Sequence, residues 1–84
     1  MIDRKLVEIL RCPVSREEVH LLSRDRLRQL NAAIEAGELT HADGRKVEAP
    51  LAEALETADG ARVYPVRDGI PIMLADEAIT PPAG

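Results

Sequence analysis

The chain has 84 residues, a formal net charge of −4, one cysteine, one tyrosine, and neither phenylalanine nor tryptophan. A single thiol excludes an internal disulfide and every multi-cysteine zinc site. The acidic balance argues against a general nucleic-acid binder, whose affinity comes from a basic surface that releases counterions, and the lack of aromatics removes base-stacking platforms. A chain this short makes one domain that buries only roughly 60 to 65% of its unfolded surface. Its core must be aliphatic, which the 45% hydrophobic content supplies.

No stretch approaches the roughly 18 apolar residues of a membrane span. The start MIDRKLVEIL alternates charge with hydrophobe rather than presenting a signal-peptide core, so a cytoplasmic protein is expected. In that segment Ile2, Leu6, Ile9 and Leu10 recur at helical spacing, with Asp3 at the cap position and Arg4 and Glu8 an i,i+4 pair. Pro13 pushes Cys12 out of the helical region, so the helix ends near Arg11 and residues 12–15 form a turn. Val19 to Leu22 reads as a first strand. Ser23 is an N-cap for a second helix running to about Ala36, with Leu22 stapled to Leu27. Leu27, Leu30 and Ile34 form its buried stripe; Arg24, Arg28, Asn31 and Glu35 its wet face; Gly37 its left-handed C-cap. The arginines at 24, 26 and 28 read as a solvated face with Asp25 among them rather than an RNA contact, given the acidic whole.

Asp43-Gly44 and Asp59-Gly60 are two-residue hairpin signals. The first predicts a small ribbon of Leu39–Ala42 with Arg45–Glu48. The second predicts a ladder setting Thr57 against Arg62, Glu56 against Val63 and Leu55 against Tyr64. Between them, Pro50 with Leu51 and Leu55 suggests a turn or a single helical turn. The stretch YPVRDGIPIML, 64–74, is the densest apolar segment. Tyr64, Val66, Ile70, Ile72 and Leu74 fall on even positions, the period of one face of an extended chain, and Arg67-Asp68-Gly69 reads as a turn. Pro65 and Pro71 lack an N–H, which predicts an edge strand, a bend and a second short extended piece. Such an edge is either covered by its own fold or docks another chain. Beyond Leu74, Asp76-Glu77 and then Thr80 to Gly84 are expected to fray, giving one domain over 1–79, with an insert at 24–50, and a disordered tail at 80–84.

The amino-terminal helix, Leu10-Arg-Cys-Pro-Val14, an Asp-Gly turn, the 64–74 motif and Asp76-Glu77-Ala78 together resemble the small methyltransferase-activating subunit family. That family comprises partners of tRNA, rRNA and release-factor methyltransferases and short bacterial proteins of unassigned function. The resemblance covers nearly the whole chain, with 24–50 as the insertion of longer members. It implies an α+β fold: a small antiparallel, zinc-ribbon-like sheet with an N-terminal helix and an inserted helix. Zinc-binding members carry four thiolates, a tetrahedral set. Here Cys12 keeps the first position while Ser15, Thr57 and Gly60 stand at the others, so the resemblance implies a degenerate, metal-free site with no cofactor. Cys12, His20, His41 and Asp43 fit no compact metal spacing either.

The resemblance implies a non-catalytic protein-binding subunit that stabilises or activates a class I S-adenosylmethionine-dependent methyltransferase. The expected partner-binding residues are Val66, Ile70, Pro71, Ile72, Met73 and Leu74. The alternative is a small structural domain that self-associates through the same apolar edge, as a homodimer, with no methyltransferase partner. No catalytic residue is expected, because no acid is anchored beside a histidine or in a glycine-rich phosphate loop, and Asp68 serves its own turn.

Overall fold

Asp3 caps the first helix, α1 (Arg4–Ile9), by accepting from the Lys5 N–H, which satisfies one of the donors a helix start leaves free. The computed structural model describes residues 2–47 and 49–81. The helix holds only six residues, so its inward face is narrow. Val7 occupies it, and Ile2 is buried just ahead. Ile9, expected in the buried stripe, lies about 200° around the helix from Val7 and is 73% exposed.

Four strands follow: β1 (Val19–Leu21), β2 (Glu53–Thr57), β3 (Val63–Arg67) and β4 (Ile70–Pro71), in the spatial order β1-β2-β3-β4 with every pair antiparallel. The second helix, α2 (Arg24–Glu35), is inserted between β1 and β2. This is the α+β architecture expected, a small antiparallel sheet with an N-terminal and an inserted helix. The ladder across Asp59-Gly60 also has the expected register, with Glu56 opposite Val63 and Leu55 opposite Tyr64.

Both faces of the sheet are covered. Leu55, Tyr64, Val66 and Val19 pack with Ile2, Val7 and Cys12 on one face, while Ala54 and Val63 pack with Leu30, Ile34, Leu39, Val47 and Leu51 on the other. Alternation along a strand sends neighbours to opposite faces, so β2 and β3 are buried along nearly their whole length. β3 is therefore an interior strand, not the edge its proline predicts. The Thr57–Arg62 hydrogen bond sets the pairing phase, which turns the Pro65 nitrogen away from β2. On its other side the Pro65 carbonyl accepts from the Ile72 N–H at 2.9 Å. The missing donor thus costs a single bond beside β4, which is the true edge.

The inserted helix obeys its sequence signals. Ser23 accepts from the Arg26 N–H. At the far end Gly37 adopts φ +75°, and the Gly37 and Glu38 N–H groups return to the Ile34 and Ala33 carbonyls at 3.0 Å each, the double closure of a Schellman motif. Asn31 departs from the expected wet face. Its carboxamide donates to the Leu51 carbonyl at 2.9 Å and accepts from the Leu51 N–H at 2.8 Å. That bracket fixes the backbone of residue 51 two positions ahead of β2, where no helical turn forms.

A ribbon forms around Asp43-Gly44, as a Thr40–Lys46 bridge with hydrogen bonds His41 N–H to Arg45 O and Val47 N–H to Leu39 O, but the register is one residue off the expected two-residue hairpin, with 42–44 as a three-residue loop; Glu48 lies outside the described residues. Fraying does not begin after Leu74. A single 3-10 turn, Ala75–Glu77, delivers Ile79, which is 0% exposed and exchanges two hydrogen bonds with Val63 at 2.7 and 2.8 Å. The Ala42 N–H donates to the Ala78 carbonyl, so this return strand ties the insert to the sheet. Of the expected tail, Thr80 is exposed and Pro81 half-buried; Pro82, Ala83 and Gly84 lie outside the described residues.

Candidate functional site

Two turns face each other at one end of the sheet. The first follows α1: Cys12 O accepts from Arg16 N–H, Cys12 N–H donates to Glu17 O, and Arg16 takes φ +65°. The second joins β2 to β3, where Gly60 N–H donates to Thr57 O. Pairing of Val19 with Thr57, and the bond from Ala58 N–H to Glu18 O, bring the two turns side by side. Positions 12, 15, 57 and 60 are thus gathered at one end of the sheet.

Their polar atoms are already engaged. The Thr57 hydroxyl donates to Asp59 Oδ1 at 2.6 Å and accepts from the Arg62 N–H at 3.2 Å, and Asp59 Oδ1 also accepts from the Ala61 N–H. The Thr57 hydroxyl and then the Ala61 N–H hold the Asp59 carboxyl below its usual range. Cys12 Sγ lies 2.9 Å from the Tyr64 hydroxyl and 3.4 Å from the Ser15 N–H. Burial pushes the thiol up, but hydrogen bonds from Ser15, Tyr64 and Val14 outweigh it and bring Cys12 down to about 7. Burial, and then Cys12 itself, push Tyr64 up. The tyrosine therefore keeps its proton and is the donor in this pair.

This donor set does not suit zinc, which takes thiolate, imidazole or carboxylate ligands. Gly60 offers no side chain, the Thr57 hydroxyl is spent on Asp59, and among the described residues no group of three or more His, Cys, Asp or Glu is placed to hold a metal ion. The two histidines lie apart: His20 Nε2 is 3.5 Å from Glu56 Oε1, and buried His41 directs Nδ1 at the Glu77 carbonyl, 2.9 Å away.

The opposite end of β3 is different. Arg67 pairs with Ile70 across Asp68 (φ +53°) and Gly69 (φ +76°), two left-handed residues that make the tight turn suited to a twisted hairpin. A two-residue turn pairs an odd position with an even one, and cross-strand partners share a face. The even-position face predicted for 64–74 is therefore broken at the turn. Tyr64 and Val66 face the core with Met73 packed against them, while Ile70 lies on the opposite face, with Arg67. Ile70 is 62% and Leu74 61% exposed, with Pro71, Ile72 and Met73 half-buried. Val66, expected among the partner-binding residues, is 4% exposed and belongs to the core. Pro71 removes a donor from the outer edge of β4, so this edge offers side chains rather than a template for strand addition.

An open cleft of about 440 Å³ adjoins this hairpin, lined by His41, Arg45, Lys46, Arg67 and Glu77. Arg45 is held between Asp43 and Glu77. A larger groove, about 500 Å³, runs between α1 and β1 with mixed charges from Arg4, Glu8 and Glu18. The sequence reading missed the cationic cleft, because its members come from the insert, β3 and the 3-10 turn and meet only through the return strand at Ile79. Asp43-Gly44 was the one local signal pointing toward it.

Fold and turns together define a small α+β domain in which two facing loops close one end of the sheet and an exposed hairpin the other. The chain belongs to the UPF0434 family. A UPF0434 protein of Maricaulis maris (strain MCS10) is 44% identical over 78 residues, spanning 92% of this chain and 79% of that protein. A UPF0434 protein of Anaplasma phagocytophilum (strain HZ) is 35% identical over 78 residues, spanning 93% and 72%. The solution NMR structure of XF2673 from Xylella fastidiosa matches with a TM-score of 0.75 at 40% identity, covering 94% of this chain and 81% of that one. No family model matches. Among the described residues no helix is long and apolar enough to cross a membrane.

Proposed function

We propose that the chain is a non-catalytic protein-binding subunit that meets its partner with Ile70, Ile72 and Leu74, backed by Pro71 and Met73. The observation that carries this reading is the exposure of two large aliphatics within one short segment, Ile70 at 62% and Leu74 at 61%; Ile9 at 73% and Val14 at 48% are the other exposed large hydrophobics among the described residues. Leaving two such side chains in water forgoes roughly 1.5 to 3 kcal/mol each, a notable sum for a small domain. Resemblance of residues 10–14 and 64–74 to methyltransferase-activating subunits makes a class I S-adenosylmethionine-dependent methyltransferase the partner to test first. In the same reading the two facing turns do by hydrogen bonding what a bound metal does in relatives that keep four thiolates.

The test is co-expression with the class I methyltransferases of the same genome, followed by gel filtration. A complex that forms with the parent chain and is lost with Ile70→Asp and Leu74→Asp supports the proposal. A complex indifferent to both substitutions would overturn the assigned surface. If none forms, and sedimentation velocity shows a concentration-dependent dimer sensitive to the same substitutions, self-association replaces it.

A further inference from the structure

We infer that the cleft beside the hairpin receives an acidic stretch of the partner, so that the docking segment is one in which carboxylates flank an aliphatic side chain. This rests on the docking role given to Ile70 and Leu74 and adds the chemistry of what docks there.

The cleft reverses the sign of the molecule that carries it. The chain has 15 acids and 11 lysines and arginines, yet the described residues that line the cleft are His41, Arg45, Lys46 and Arg67, with Glu77 the one acid among them. Arg45 is neutralised locally by Asp43 and Glu77. Lys46 and Arg67 are exposed and form no ion pair among the described residues. Lys46 extends toward the carboxyl end of α2, its Nζ 3.1 Å from where a Cβ on Gly37 would stand. Glu77 directs its carboxylate at Arg45 and its carbonyl at His41, which sets the cleft wall.

Position ties this charge to the apolar surface. Arg67 is the direct cross-strand partner of Ile70, and residues so paired stand about 5.5 Å apart at their Cα atoms. An occupant of Ile70 therefore meets the Arg67 guanidinium within a residue or two, and a carboxylate there gains a charge-assisted contact with a geometry guanidinium favours. A nucleic acid fits worse. Tyr64, the chain's lone aromatic, is 0% exposed, so no base can stack on it, and the remaining surface repels phosphate.

The experiment pans random displayed peptides of about twelve residues against the full chain. Enriched sequences are expected to place two or more Asp or Glu near a Leu, Ile or Val. A synthetic copy, followed by fluorescence anisotropy, should lose roughly tenfold or more in affinity on joint Lys46→Glu and Arg67→Glu substitution and weaken as sodium chloride rises. Arg24→Glu, on the exposed face of α2, should leave binding unchanged. No enrichment, enrichment without acids, or stronger competition by polyuridylate RNA would overturn the inference. Binding lost with Ile70→Asp but untouched by the double charge reversal sinks the cleft's role alone, whereas binding indifferent to both sinks the docking surface as well.

Discussion

At the Cys12–Thr57 end of the sheet, a thiol, two hydroxyls and a carboxylate all find partners inside the protein, whereas at the Arg67–Leu74 end two large aliphatic side chains find none. Among the described residues no buried side-chain nitrogen or oxygen lacks a hydrogen-bond partner. The same strand, β3, serves both ends: Tyr64 reaches Cys12 at one, and Arg67 opens the exposed hairpin at the other. A polar group withdrawn from water without a partner is costly, which explains why the closed end is so fully bonded. An aliphatic group left in water costs only the burial it forgoes, and such exposure is tolerable where a partner supplies the missing cover.

The largest expected contrast comes from truncating side chains at the two ends. Tyr64→Ala, at a fully buried site, should cost about 3 to 5 kcal/mol in urea unfolding, while Leu74→Ala should stay within about 0.5 kcal/mol of the parent. Comparable losses from the two would erase the distinction. Thr57→Val should lose about 1 to 3 kcal/mol, because it strands the Arg62 N–H and removes a donor from Asp59.

The smallest effect is on ionisation. The folded Cys12 value of about 7 lies below the ordinary 9.0. A depressed folded value means the thiolate's contribution is fully present above the ordinary value and is lost as the pH falls through about 7. Stability should therefore rise across that window in the parent and not in Cys12→Ala. Tyr64→Phe removes a donor to the sulfur and should raise the midpoint read from ultraviolet thiolate absorbance; an unchanged midpoint would argue that the tyrosine does not bond the sulfur.

What could be read from the residues alone was local. Ser23, Gly37, Asp59-Gly60 and the Leu55–Tyr64 register follow from caps and turn chemistry that act within a few positions. What escaped depended on distant pairing. Whether β3 is edge or interior is decided by β4 and Ile79 lying against it, and no property of Pro65 announces that. The parity change at Asp68-Gly69 needed the turn to be recognised as two residues long; once it is, the placing of Ile70 on the face opposite Tyr64 and Val66 follows by counting. Asn31 looked solvated because nothing nearby in sequence reveals that Leu51 arrives beside it. At the candidate site positions 12, 15, 57 and 60 were singled out by counting within motifs, but the hydrogen bonds that engage Cys12 and Thr57 there were not legible, and the even-position pattern set Val66, which is buried, beside Ile70.

The central claim, that the Arg67–Leu74 hairpin is surface held ready for a partner rather than core, is tested most directly by the urea unfolding free energy of the Ile70→Asp, Leu74→Asp double variant. The account predicts a value within about 1 kcal/mol of the parent. A loss of about 4 kcal/mol or more, of the size expected for burying unpaired charge or emptying a core site, would show these side chains to be interior and contradict it.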